Sequence, residues 1–87
     1  MPYEVVAVES TPNPNALKFV LDRVISAQPV SFFTAESARD HPVASRLFAV
    51  PGVSCVLLLG DFVTINKEPG RTWDVIRKRV REILKNS

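Results

Sequence analysis

Cysteine, histidine and glycine are scarce in this chain. The 87 residues include one cysteine, Cys55, one histidine, His41, and three glycines. A single cysteine excludes a disulfide within the chain and any all-cysteine metal site. One cysteine with one histidine also falls short of the three or four ligands that a typical metal site needs. Because phosphate-binding loops and nucleophile motifs are absent too, we expect no enzyme activity, no metal and no cofactor.

Long apolar runs and a strong charge of one sign are also missing. The longest apolar run, Val56 to Leu59, is far too short to span a membrane, and no signal peptide is recognisable. A net charge of +2 is too weak to indicate nucleic-acid binding by itself. We therefore expect one monomeric cytoplasmic domain over residues 1–87, and Met1 with the basic last helix favours a complete protein.

Alternating and helical apolar patterns predict seven elements in the order β-β-β-α-β-β-α. Gly60-Asp61 predicts a two-residue hairpin turn, and Thr72 is expected to cap the last helix. The order favours an α+β two-layer sandwich, with a mostly antiparallel sheet of about four to five strands and both helices on one face. The predicted strands are Tyr3–Ser10, Ala16–Leu21, Val30–Phe33, Val53–Leu59 and Phe62–Lys67, and the helices are His41–Val50 and Trp73–Lys85.

Several apolar side chains are assigned to the core from these patterns. Cys55 alternates with Val53, Leu57 and Leu59, so we expect a buried thiol and not a reactive one. Trp73 begins the apolar stripe of the last helix and is expected to anchor that helix to the sheet. His41 precedes Pro42 and is expected to be a surface helix cap. The aromatic residues at core-type positions are Phe19, Phe48, Phe62 and Trp73.

Two polar surfaces are candidates for partner binding. The Pro-Asn corner, Thr11 to Asn15, alternates two prolines with two asparagines, which makes a stiff polar connection. The cationic row, Arg77, Arg81 and Lys85, follows helical i,i+4 spacing on the last helix. The corner is alternatively a rigid turn that sets strand register, and the row a solvated helix face. We favour the corner, and the candidate residues are Thr11, Asn13, Asn15, Arg77, Arg81 and Lys85.

Four segments together resemble the N-terminal domain of Nfu/NifU-like iron-sulfur scaffold proteins: TPNPNALKF, HPVASRLFAVPGVSCV, DFVTINKE and WDVIRKRVREIL. The resemblance implies a compact α+β domain that contacts partner proteins. In full-length members this domain precedes a second domain, whose Cys-x-x-Cys carries a bridged iron-sulfur cluster. The present chain has no Cys-x-x-Cys, and it has His41-Pro42-Val43-Ala44 where the family often has Ser-Pro-Leu-Ala. The scaffold activity therefore does not carry over.

Three functions compete at this point. The leading hypothesis is a non-catalytic interaction module for iron-sulfur cluster assembly or delivery, which contacts assembly or recipient proteins and holds no cluster itself. A small nucleic-acid-binding domain that uses the basic last helix is the runner-up, and the core-type positions of the aromatic residues argue against it. A weak iron-binding chaperone is the third, with Glu36, Asp40 and Asp61 as scattered carboxylates.

Overall fold

The computed structural model describes residues 3–87, so the predicted domain of residues 1–87 includes two positions outside the described range. Five strands and two helices follow in the predicted order, which confirms the α+β class. The strands are β1 (Val5–Ser10), β2 (Ala16–Leu21), β3 (Ser26–Phe32), β4 (Val53–Gly60) and β5 (Phe62–Lys67), and the helices are α1 (Pro42–Phe48) and α2 (Trp73–Lys85).

The sheet is antiparallel throughout, with the strand order β1-β2-β5-β4-β3. At the predicted hairpin, Leu59 pairs with Phe62, and Gly60 takes a positive φ of 56° in the two-residue link. Strand β3 begins four residues earlier than predicted, and it contains Pro29. A proline lacks the backbone N–H that a central strand needs, and β3 tolerates it because it is an edge strand.

Both helices pack on the same face of the sheet, as predicted. One core cluster joins helix side chains to side chains of the three central strands. Burial of each large apolar side chain stabilises the fold by roughly 1.5–3 kcal/mol. The helices contribute Val43, Ala44, Leu47, Ile76, Val80 and Leu84, and the central strands contribute Phe19, Leu21, Val56, Leu58, Val63 and Ile65. No helix among residues 3–87 combines the length and the apolar character required to cross a membrane.

The other face of the sheet corrects two core assignments. Strand β4 directs Val56 and Leu58 into the core, so Cys55, Leu57 and Leu59 alternate onto the opposite face, where they are half-buried. Phe62 pairs with Leu59 on that face, and the Lys18 Nζ lies 4.3 Å from its ring centroid. The predictions that Cys55 and Phe62 lie in the core are both wrong, because β4 is apolar on both faces. Alternation then cannot identify which face meets the helices.

The two helix starts differ. The Nδ1 atom of His41 accepts a hydrogen bond from the Ala44 N–H at 3.1 Å, so this histidine caps α1 as predicted. Thr72 occupies the corresponding position before α2 with extended backbone, but its side chain makes no capping hydrogen bond. The predicted Thr72 cap is therefore correct in position and wrong in chemistry. Helix α1 also ends at Phe48, two residues before the predicted end.

Candidate interaction surfaces

The Pro-Asn corner uses most of its polar atoms on itself. The Thr11 hydroxyl lies 2.9 Å from the Asn13 carbonyl oxygen and 3.1 Å from that of Ala16, and it accepts the Asn13 N–H at 3.2 Å. The Asn13 Oδ1 accepts the Asn15 N–H at 2.9 Å. These bonds hold the turn between β1 and β2 in one conformation, because its polar groups bond to one another and not to water.

The corner is also fastened to two other elements. The Asn15 Oδ1 accepts a hydrogen bond from the Lys67 Nζ at 2.9 Å, and Lys67 is only 9% exposed. The Trp73 indole N–H donates to the Pro14 carbonyl oxygen at 3.2 Å. Lys67 lies in turn over the Trp73 ring, with its Nζ 5.7 Å from the centroid. The corner therefore connects the end of β5 to the start of α2, a role that sequence reasoning did not assign to it.

Trp73 anchors α2 as predicted, but from the margin of the core. Its ring is half-buried and packs against the core cluster, while its N–H reaches the corner. Pro14 lies 59 positions before Trp73, so the sequence around either residue gives no signal of this contact.

The cationic row has the opposite character. Arg77, Arg81 and Lys85 are all exposed. The ion pairs within residues 3–87 are Lys18 with Glu9 at 3.8 Å and Arg23 with Asp22 at 3.5 Å, so no row side chain is paired there. The row begins one helical turn beyond Trp73, whose N–H reaches the corner. Whether either one binds a partner stays a prediction.

Charge is distributed unevenly between α2 and the rest of the chain. Helix α2 (Trp73–Lys85) carries five cationic and two acidic side chains, a charge of +3, whereas the remaining positions carry six and seven, a charge of −1. The mild total of +2 hides this asymmetry. On most surfaces opposite charges are mixed, so that any few neighbouring residues are close to neutral. Helix α2 instead carries an excess of cations.

A second cationic area lies along the flank of α2 that faces α1 and the Pro51 turn, on the other side of α2 from the row, and it is called the groove between α1 and α2. Two shallow depressions of about 230 and 340 Å³ meet at Arg79. Arg71 lines the smaller one and Arg46, from the last turn of α1, lines the larger one. Sequence reasoning missed this set, because the three arginines come from three separate segments and share no spacing.

The donor atoms of the chain do not fit an iron-sulfur cluster. Clusters are usually held by four cysteine thiolates, and Cys55 is half-buried on the open sheet face, where desolvation raises the pKa of its thiol. Within residues 3–87 no three His, Cys, Asp or Glu side chains converge on a point that could hold a metal ion. The predicted scattered carboxylates Glu36, Asp40 and Asp61 therefore do not assemble in the described part of the chain.

The fold and these surfaces can now be compared with known proteins. Residues 6–87 match the family model described as the N-terminal domain of the scaffold protein Nfu/NifU. The chain belongs to this family, as its sequence segments indicated.

Curated relatives extend the family match. The mitochondrial iron-sulfur cluster scaffold homologue NFU1 of Drosophila erecta is 35% identical over 81 residues, and the mitochondrial NifU-like protein 5 of Arabidopsis thaliana is 36% identical over 80 residues. Each alignment covers 91% of this chain and 29% of the relative. The chain thus spans under a third of the length of these relatives.

Solved structures share the fold. A NifU-like protein from Saccharomyces cerevisiae superposes with a TM-score of 0.78 at 26% identity, over 94% of this chain and 77% of that one. A Staphylococcus aureus protein superposes with a TM-score of 0.76 at 18% identity, over 92% and 96% of the two chains, which establishes a common fold and nothing more.

Proposed function

We propose that this chain is a non-catalytic protein-interaction module that serves iron-sulfur cluster assembly or delivery without holding a cluster itself. Membership of the Nfu/NifU N-terminal family supports the association with iron-sulfur biogenesis. The observation that carries the cluster-free part is the donor set, because the chain supplies one half-buried thiol where a cluster usually needs four.

The partners in this proposal are iron-sulfur assembly or recipient proteins. A folded domain with a preorganised corner and a concentrated cationic helix offers surfaces that lose little conformational entropy on binding. We place the protein in the cytoplasm as part of the same proposal, although the fly and plant relatives are named as mitochondrial. Cell fractionation with an antibody to the chain tests that placement.

Iron and sulfide analysis tests the cluster-free part. After anaerobic purification, and again after incubation with ferrous iron and sulfide, we expect no stoichiometric iron or sulfide and no visible absorption band. Even a dimer would supply only two thiols, half of the usual ligand set. A coloured protein with iron and sulfide in equal stoichiometry would refute the proposal. Cys55→Ser is the matched control, because loss of the colour in this variant would identify the thiol as a ligand.

Affinity capture tests the interaction part. The tagged chain should retain purified cysteine desulfurase, scaffold or cluster-carrier proteins, and a tagged unrelated domain of similar charge should not. The two surfaces predicted from the sequence are compared with Asn13→Ala plus Asn15→Ala against Arg77→Glu plus Arg81→Glu, after melting has been measured for both variants. Failure to retain any of these proteins would count against a role in iron-sulfur biogenesis.

Nucleic-acid binding is the alternative that the α2 charge favours. A positively charged helix binds phosphates with strong salt dependence. Electrophoretic mobility shifts with RNA and DNA oligonucleotides at two salt concentrations decide between the two functions, since the interaction module should give none.

A further inference from the structure

The groove between α1 and α2 combines cations with exposed apolar surface. Val75 lies in its smaller depression and is 62% exposed, next to Pro51. The larger depression is lined by half-buried Ile83 together with Arg46 and Arg79. Single exposed apolar side chains are ordinary on protein surfaces, so Val75 and Ile83 indicate a partner only together with the arginines around them.

One wall of the groove is held in place by the backbone. Gly52 follows α1 with a positive φ of 96°, and a Cβ at this position would lie 3.0 Å from the Arg71 Cγ. The aliphatic part of Arg71 therefore packs directly on the glycine backbone, with Ile76 beneath. This packing limits the rotamers of Arg71 before any partner arrives, so less conformational entropy is lost on binding.

The charge of the groove is one-sided. Its lining includes Arg46, Arg71 and Arg79 against one acid, Glu82. All three arginines are exposed, and none is in an ion pair within the described residues. An arginine guanidinium binds a carboxylate through two parallel hydrogen bonds, which makes carboxylates the complementary groups on a protein partner.

We propose that the groove between α1 and α2 binds an acidic linear segment of a partner protein, in which apolar side chains contact Val75 and Ile83 while flanking carboxylates pair with Arg46, Arg71 and Arg79. This inference rests on the proposed function as an interaction module and names the surface and the chemistry of the partner. The two depressions share Arg79, so one extended segment can contact both.

Nucleic acid fits this groove less well. Single strands are bound by stacking bases on aromatic side chains, and the two depressions are lined by none. The apolar side chains Val75 and Ile83 also give a nucleic-acid backbone nothing to contact.

The probe is a synthetic peptide of glutamates that carries two leucines four positions apart, titrated into the isotope-labelled chain by NMR. We expect the largest amide shifts around Val75, Arg79 and Ile83. A second peptide with both leucines replaced by serine should bind at least about tenfold more weakly, which corresponds to 1.4 kcal/mol. Equal affinity for the two peptides, or shifts confined to the corner or the cationic row, would overturn the proposal.

Charge-matched variants separate the groove from general attraction. Arg46→Glu with Arg79→Glu changes the net charge by the same amount as Arg77→Glu with Arg81→Glu on the other flank of α2. We expect the groove variant to lose at least about tenfold in peptide affinity and the row variant to lose less than about threefold. Equal losses would mean that long-range charge, and not the groove, attracts the peptide.

Two further controls complete the test. Val75→Ser removes exposed apolar surface without changing charge, and it should weaken the leucine peptide while leaving the serine peptide unaffected. A single-stranded oligonucleotide of the same charge as the peptide should bind more weakly than the peptide. Tighter binding of the oligonucleotide would overturn the choice of a protein partner.

The same variants distinguish failure of this inference from failure of the proposed function. If the wild-type chain retains iron-sulfur assembly proteins and Arg46→Glu with Arg79→Glu retains them equally, the groove inference is wrong and the module function stands. If the wild-type chain retains none of them, the module function itself is wrong.

Discussion

The Pro-Asn corner and the cationic row of α2 are both polar in sequence. The corner forms hydrogen bonds within the chain, whereas the row is exposed to solvent. The corner directs Asn13 and Asn15 to backbone groups and to the Lys67 Nζ. In the cationic row, Arg77 and Arg81 are exposed and form no ion pair within the described residues. Polar side chains that are satisfied internally stabilise the fold, whereas unpaired exposed charges remain available to a partner.

The comparison teaches that a stiff, unusual loop is not by itself a recognition surface. The corner is well suited to a structural role, because it joins the turn between β1 and β2 to the last residue of β5 and to the first residue of α2. Substitutions in the corner should therefore change stability, and the preference for the corner as the partner site stays a prediction that affinity capture tests.

The largest expected effect belongs to Trp73. Trp73→Ala removes a half-buried ring from the margin of the core together with its hydrogen bond to Pro14. We expect a loss of about 3 kcal/mol, at the lower end of the range for large aromatic residues because the ring is only half-buried. Urea unfolding followed by circular dichroism measures it.

Trp73→Phe is the control for that variant. It keeps a six-membered aromatic ring but removes the indole N–H and part of the packed ring surface, so it should cost about 1–2 kcal/mol, less than Trp73→Ala. An unchanged unfolding midpoint in Trp73→Ala would mean that the ring is a contact residue and that α2 is anchored elsewhere.

The Asn15 to Lys67 contact is expected to give the next largest effect. Asn15→Ala removes the side-chain acceptor of a lysine that is only 9% exposed. Leaving a buried donor unsatisfied costs about 1–3 kcal/mol. Asn15→Asp keeps the acceptor and adds a complementary charge, so its unfolding midpoint should equal or exceed that of the wild type. Equal stability of all three proteins would show that the corner is not fastened through this bond.

Charge reversal on α2 should barely change stability. Arg77→Glu with Arg81→Glu alters exposed side chains without ion pairs in residues 3–87, so the free energy of unfolding should stay within about 0.5 kcal/mol of the wild type. A destabilisation comparable with that of Asn15→Ala would mean that the row supports the fold, and it would remove the contrast between the two regions.

The smallest expected effect is the contribution of Asp22 to the pH dependence of stability. The Glu4 backbone N–H donates to its carboxylate and, with nearby Arg23, lowers its pKa below the ordinary value. A lowered pKa in the folded state stabilises the fold above the unfolded value of about 4, and this stabilisation is lost as the pH falls through the folded value. Thermal midpoints of the wild type and Asp22→Ala should therefore differ most above about pH 5 and converge in acid. A difference that widens in acid would contradict this.

Much of the fold was predictable because local patterns are strong here. The two-residue Gly60-Asp61 link, the apolar stripe of α2 and the His41-Pro42 start of α1 each specify an element through the chemistry of neighbouring residues. The early start of β3 was missed, because Ser26 to Pro29 lacks alternation and its pairing with β4 is irregular between Ser26 and Val30.

The residues of the candidate surfaces were predictable from the sequence, but their contacts were not. The residues of the corner and the row could be selected from composition and spacing, since prolines, asparagines and i,i+4 cations stand out in any sequence. Their roles could not, because the acceptor of the Trp73 N–H and the donor to Asn15 lie 59 and 52 positions away in the chain.

The sequence by itself determined the class of the fold, the order of its elements and the family, because periodicity, turn residues and family segments are local properties. Only the tertiary structure decided which face of β4 is buried, which polar groups of the corner are satisfied, and that arginines from three segments line one groove. Those outcomes depend on contacts between residues far apart in the chain. Such contacts form only when the sheet and both helices pack together, so the local sequence carries no signal of them.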